Sequence, residues 1–317
     1  MKIKRQILDV LCCPKCKHDL SLIETQVVGE EIIEGFLECN NCQILFEIAK
    51  GVPRMIIDMD NRREIAESWD FEWAKVAEGV FEDGGKLYGI TEGEELNRFF
   101  RYMSVASGDL RGKFILDAGC GRGRLIKSLA KHGAVVFGVD ISSTLVDVYE
   151  DCKRYENANI IQADILNLPF RIDTFDYVWA MGTTFLTGDT KRAFENLSNL
   201  VKLSGKLFVS VRRTGYTDFG VRVRDFLAIY FHRIPKNILF CLCYILALLL
   251  SLVKKILGKQ GASLRTTAFF LFDHLAHLRE IHTEGEVINW FKEGNFYDIT
   301  CMNNKPRVLV FVRGTKR

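Results

Sequence analysis

Between residues 111 and 212 the chain alternates short, mainly apolar runs with segments of helical spacing. KFILDAG is β-branched and apolar and reads as a buried strand. LIKSLAKHG follows at helical spacing, with Leu125 and Leu129 on one face and Gly133 at its end. AVVFGVDIS is a second buried strand closing on Asp140, and NIIQA leads into a loop at Asp164. FDYVWAM reads as a fourth strand. TKRAFENLSNLVKL is predicted helical through Phe194, Leu197, Leu200 and Val201, with Ser204-Gly205 breaking it before the fifth strand, KLFVSV. Strand, turn, helix and strand in this order open a doubly wound α/β sheet. Toward the end, EGEVINWFKEGNF is an amphipathic helix and YDITCMN and RVLVFVR a strand pair. Near the start, SLIETQVVGEEIIEGFLEC alternates polar and apolar residues, as short strands do.

The turn after the first of these α/β strands reads ILDAGCGRGR, with Gly119, Gly121 and Gly123 in GxGxG spacing behind Asp117. A nicotinamide-binding turn prefers GxGxxG without an acid beside it, and a P-loop needs Gly-Lys-Ser/Thr. An acid here would repel a pyrophosphate and favour a cationic group. Missing side chains let the backbone approach a bulky ligand closely. Asp140, twenty-one residues after Gly119, stands where ribose hydroxyls are bound, with a strand-end cap as the alternative. S-adenosylmethionine (SAM) meets these demands: a ribose, an α-ammonium and a sulfonium, and no phosphate.

Ten cysteines include two CxxC pairs, Cys13/Cys16 and Cys39/Cys42, separated by twenty-two residues. Four thiolates so arranged satisfy a tetrahedral Zn2+, closed and therefore structural. A redox motif would need one pair ahead of a helix in a βαβ unit. Cys12 is off-spacing. With no signal-peptide pattern at the start, reduced thiols and a cytoplasmic setting are expected.

Two resemblances follow. The first segment, ILDVLCCPKC through CNNC to GVPRMI, is similar to the small zinc-ribbon family found beside or fused to methyltransferases. The run LDAGCGRGR, GVDIS, QADILNLPF, FDYVWAMG and LSGKLFVSV resembles a class I SAM-dependent methyltransferase. That resemblance implies a doubly wound, mostly parallel seven-stranded sheet whose last strand is antiparallel. It implies that Asp117, Gly119, Cys120, Gly121 and Gly123 line the cofactor path. Asp140, beside Ile141, would take the ribose hydroxyls, and Asp164, beside Ile165, the adenine amino group. The expected organisation is a ribbon over 1–57, an aromatic helical arm over 58–110, and a catalytic domain over 111–317 with a helical cap at 213–282. Trp69, Phe71 and Trp73 of the arm either fold over the cofactor or serve only packing.

The net charge of +3 excludes little, but its distribution is uneven. Residues 206–265 carry eleven Lys or Arg against Asp218 and Asp225, so this segment is +9 and the remainder −6. The segment also holds sixteen consecutive apolar or small residues, Ile238 to Val253, framed by Lys236 and Lys254-Lys255. Three readings stand: a helix packed on its own domain or a partner, contact of 213–265 with a membrane surface, or a true span. A small-molecule, lipid-like or lipid-linked glycan acceptor fits this composition. An rRNA or tRNA substrate fits poorly, because nucleic-acid surfaces interleave basic and aromatic residues.

The relatives' His-His segment after the fourth strand is replaced here by Phe185-Leu186. A general base is therefore open, with His282 and Tyr216 as candidates and Arg212-Arg213 as an anion holder. His274 and His277 suggest a metal only if a third ligand exists. The same replacement motivates a non-catalytic SAM-binding protein as an alternative.

Overall fold

A computed structural model describes residues 5–29, 31–81, 85–214, 219–256, 262–302 and 308–317. The first four strands, β1 (Leu20–Val28), β2 (Glu31–Cys39), β3 (Leu45–Ala49) and β4 (Val52–Pro53), form an antiparallel sheet in sequential order. Helix α1 (Met59–Ala77) and helix α2 (Glu92–Met103) follow. Thr91 and Glu94 close a reciprocal capping box at the start of α2, satisfying backbone donors that the helix cannot. Then come β5 (Phe114–Ala118), α3 (Arg124–Lys131), β6 (Val135–Asp140), α4 (Leu145–Cys152), β7 (Ala158–Gln162), β8 (Phe175–Ala180), α5 (Thr190–Asn199) and β9 (Val201–Arg213). Three helices, α6 (Phe219–Phe231), α7 (Lys236–Ile256) and α8 (Leu264–Ala276), interrupt the sheet. It resumes with β10 (Ile281–His282), α9 (Glu284–Glu293), β11 (Phe296–Cys301) and β12 (Leu309–Lys316).

The main sheet runs β11-β12-β9-β8-β5-β6-β7. β5 to β9 pair in parallel, β12 is antiparallel to β9, and two-residue β10 pairs beside β9. This is the doubly wound, seven-stranded, mostly parallel class I architecture, with one minor strand added. One element differs from its periodicity. Val201 opens β9 rather than extending α5, and Ser204 and Gly205 lie within the strand. Ser204 adopts φ +63° next to a register shift against β8, so the apparent helix break is a bulge that the strand absorbs.

The ribbon shares a core with the main sheet. Ile7, Leu11, Leu37, Phe46 and Ile48 pack in one cluster with Ile161, Leu168 and Phe170. Lys17 Nζ donates to Leu168 O at 2.7 Å and Met55 N to Gln162 O at 2.7 Å. The ribbon therefore buttresses the loop that carries Ala163 and Asp164.

The arm and the insertion form a second core above the sheet. Trp73, Val76 and Phe81 pack with Leu239, Cys243 and Ala247 of α7 and with Phe269 and Phe272 of α8. α7 thus packs on its own domain along one face. Leu239, Cys243 and Ala247 are its only buried positions among the described residues, one stripe at four-residue spacing. α7 is the one described helix long and apolar enough to cross a membrane.

Candidate functional site

A cavity of about 730 Å³ opens at the carboxyl ends of β5, β6, β7 and β8, where open α/β sheets bind ligands. Its floor is the glycine turn. Gly119 and Gly121 both take positive φ, +81° and +49°. A Cβ at Gly119 would overlap the Thr183 side chain, and one at Gly121 would lie 2.7 Å from the Trp73 ring. Asp140 clamps the turn by accepting from Gly121 N at 2.9 Å and from Ser142 N at 3.0 Å. Burial raises its pKa, and those backbone donors oppose the rise.

Asp117 differs in having no such support. It is 5% exposed, lines the cavity, and receives no hydrogen bond among the described residues. Burial pushes its carboxyl well above the usual range, and Glu95 and Asp140 add to the effect. A buried carboxyl without a protein partner is a place for a cation. Cys120, Ile141 and Ile165 also line the cavity.

Asp164 lines the cavity but is not free. Its Oδ1 accepts from Leu166 N at 2.9 Å, and its Oδ2 pairs with Arg62 Nε at 2.8 Å. Arg62 Nη1 also donates to Thr187 O, so α1 is tied to two walls of the cavity. A ligand amino group at Asp164 would share a carboxylate already engaged by a guanidinium.

Other residues named from the sequence lie elsewhere. Gly123 is not in the cavity lining. It is the N-cap of α3 at φ +65°, and a Cβ there would overlap Val148, so its role is packing of α3 on α4. His282 also lies outside the lining; its ring packs edge-on against Trp290 at 4.8 Å. Tyr216 falls outside the described residues. Arg213 is paired with Glu284 at 3.1 Å, whereas Arg212 faces the cavity with both Asp225 oxygens at 3.0 Å.

The roof brings together residues far apart in sequence. Trp69 stacks on His277 at 3.9 Å and on Trp73 at 5.7 Å, and both tryptophans line the cavity. Behind them, His277 Nε2 bonds Glu72 Oε2 at 2.8 Å while Tyr88 OH donates to Glu72 Oε1 at 3.2 Å. Glu72, Asp273 and His277 place one ligand atom each within 4.8 Å of one another, a constellation invisible in the sequence. Arg279 already neutralises Asp273 at 2.7 Å. Burial raises the Glu72 carboxyl and lowers His277 to about 3, both shifts favouring the uncharged forms.

His274 lines the cavity. Its Nδ1 lies 2.8 Å from Phe270 O, which can only accept, so Nδ1 carries the hydrogen and Nε2 the lone pair. Burial, reinforced by Arg279, lowers its pKa to about 4, leaving it neutral at pH 7. Phe185, Leu186, Arg212, Arg224 and Arg279 line this half of the cavity together with Asp273, while the glycine half holds Asp117, Asp140 and Asp164 beside Arg62, Arg98, Arg122 and Arg124. Sequence reading did not single out Arg62, Glu95, Arg224 or Arg279, because nothing local marks them.

The ribbon presents a second site. Sγ–Sγ distances are 3.6 Å for Cys13–Cys42, 3.4 Å for Cys16–Cys39 and 3.7 Å for Cys16–Cys42. Ligands of a tetrahedral zinc with Zn–S near 2.3 Å stand about 3.8 Å apart. A disulfide would need about 2.05 Å. All four side chains are free thiols, and the donor set fits Zn2+.

Comparison with known proteins agrees with the geometry. Residues 116–209 match the family described as "Methyltransferase domain", and residues 4–51 match "Trm112p-like protein". Ubiquinone biosynthesis O-methyltransferase of Coxiella burnetii is 41% identical over 103 residues, 32% of this chain and 44% of that protein. Methyltransferase GfsG of Streptomyces halstedii is 30% identical over 104 residues, 31% of this chain and 37% of that protein. The chain thus spans less than half the length of these relatives. Among solved structures, magnesium protoporphyrin IX methyltransferase from Synechocystis with bound SAH aligns at TM-score 0.49 and 15% identity, over 81% of this chain and all of that one. The strand order, the glycine turn and the two family matches together identify a class I methyltransferase domain preceded by a Trm112p-like cysteine ribbon.

Proposed function

We propose that this chain transfers a methyl group from SAM to an oxygen of a small-molecule acceptor with an apolar, lipid-like body. The observation that carries the reading is Asp117: a buried, unpartnered carboxyl beside a glycine turn favours an ammonium and repels phosphate. SAM supplies a methyl carbon activated by its sulfonium. The task left to the protein is alignment and proton removal. Asp117 holds the α-amino group, and Gly119 and Gly121 let the backbone pass close beneath the ligand. Asp140 fixes the turn and offers its remaining lone pairs to ribose hydroxyls. Asp164, steadied by Arg62, receives the adenine amino group. Trp69 and Trp73 close the roof and present π-faces to a cation. As the acceptor oxygen bonds to the methyl carbon, the carbon–sulfur bond breaks and the hydroxyl proton passes to His274 Nε2. The 41% identity to a ubiquinone biosynthesis O-methyltransferase over 103 residues supports oxygen as the methylated atom. Arg224, which lines the cavity, suits an acceptor bearing an anionic group.

The test is formation of SAH from SAM across a panel of prenylated and alkylated phenols and hydroxybenzoates. The native chain is expected to turn over at least one of them. His274→Ala should lower kcat by about 10²- to 10⁴-fold, the usual range for a lost general base. Phe185 and Leu186, lining the cavity where relatives carry histidines, favour one second reading, a SAM-binding protein without turnover. Tight SAM binding with no product from any acceptor would select it.

A further inference from the structure

Among the described residues, many exposed large apolar side chains lie on the insertion. On α6, Phe226, Ile229 and Tyr230 are exposed. On α7, Leu242, Ile245, Leu249, Leu252 and Val253 are exposed, Ile245 at 58% and Leu249 at 53%. Apolar exposure on this scale calls for a covering surface.

Charge and geometry identify the cover. α7 contains no acidic residue; its charges are Lys236 at one end and Lys254 and Lys255 at the other. Arg222 and Arg233 are exposed beside it. Asp225, the acid on α6, is occupied by Arg212. Greasy residues flanked by lysines and arginines suit an anionic lipid surface, apolar side chains in the acyl boundary and cations among the headgroups. A two-fold dimer through the same face would set these basic ends against their own copies.

The packing also limits the orientation of α7 relative to any bilayer. Its 21 residues are about 31 Å long, enough to span. However, Leu239, Cys243 and Ala247 face the protein along one side. Phe240 meets Phe71 and Phe81 edge-on at 5.9 and 5.6 Å, and Tyr244 OH donates to Val80 O at 3.2 Å. A helix fastened lengthwise to a water-soluble body cannot cross the membrane without leaving that body. It can lie in the plane of the interface.

We infer that α6 and α7 seat the protein on an anionic bilayer as an in-plane anchor, so that one wall of the methyl-transfer cavity borders lipid. That wall contains Leu250 and Lys254 of α7 and Arg224 of α6. An acceptor dissolved in the bilayer then reaches the cavity with its apolar body beside α7 and its polar end toward Arg224. The substrate part of this inference rests on the methyl-transfer reading; the seating does not.

The experiment compares the full chain with the double variant I245E/L249E, neither position lining the cavity. Both are floated with vesicles of phosphatidylcholine alone or of phosphatidylcholine and phosphatidylglycerol in equal parts. The native chain is expected to float with the anionic vesicles and far less with the neutral ones. The double variant should remain in the unbound fraction while binding SAM with unchanged affinity, which reports an intact fold. Native protein that does not float overturns the seating, as does a double variant that floats equally well. A lipid-free native dimer that the double substitution converts to monomer would also overturn it. Loss of SAM binding in the native chain would instead count against the methyl-transfer reading, leaving the flotation result to stand alone.

Discussion

Cys39→Ser is expected to release the metal from the N-terminal ribbon and melt it. Structural zinc in small cysteine sites contributes about 10–16 kcal/mol of folding free energy. That equals or exceeds the whole stability of a typical domain, about 5–15 kcal/mol. The four-stranded ribbon sheet is small, and its buried apolar side chains share one core with main-sheet residues such as Ile161, Leu168 and Phe170. Losing the metal should therefore expose the edge of the main sheet as well. The damage should also reach the cofactor site, because the backbone at Met55 is bonded to Gln162, two residues before Asp164. Metal analysis should find one zinc per native chain and almost none in the variant, with a lower and broader thermal transition. SAM affinity should fall secondarily. A variant that keeps one zinc per chain would show that the four thiols are not its ligands.

Asp117→Asn should act in opposite directions on the free and liganded protein. A hydrogen bond to a charged group contributes about 1.5–3 kcal/mol, so its loss should weaken SAM binding about 10- to 100-fold. The free protein should gain stability at neutral pH. The folded pKa of Asp117 lies well above its ordinary value through burial. A carboxyl raised by folding stabilises below its unfolded pKa of about 3.9, and that contribution is lost as pH rises through the folded value. Asparagine has the same shape and no charge to bury. The same shift makes SAM binding proton-linked. An ammonium beside Asp117 lowers its pKa, so binding below the free-state value releases a proton. Affinity should fall by up to tenfold per unit as pH drops through that region. Calorimetry in buffers of differing ionisation enthalpy should detect the released proton in the native chain, with that component missing in the variant.

The parts of this molecule legible in its sequence are those specified by neighbours along the chain. The strands ending at Ala118, Asp140 and Ala180 are mostly apolar, and the buried parallel part of a sheet demands such runs. The glycine turn could be read because φ above zero and close approach both select glycine, although Gly123 meets that need for helix packing instead. Val201 misled because one residue at a helix end satisfies both periodicities, and its pairing with Phe175 of β8 decided the outcome. The roof was illegible for a different reason. His277 meets Glu72 across 205 residues, and Arg62 meets Asp164 across 102, so only the tertiary fold brings them together. The apolar run in α7 was plain, but composition does not say which side is covered. Packing of Leu239, Cys243 and Ala247 does.

The central claim is that an aspartate-flanked turn without side chains receives a sulfonium nucleoside and not a pyrophosphate. Titration of the native chain with SAM and, separately, with NADH tests it most directly. One SAM is expected to bind per chain, with Asp117→Asn weakening it at least tenfold and NADH giving no heat. Saturable NADH binding with no response to SAM would contradict it.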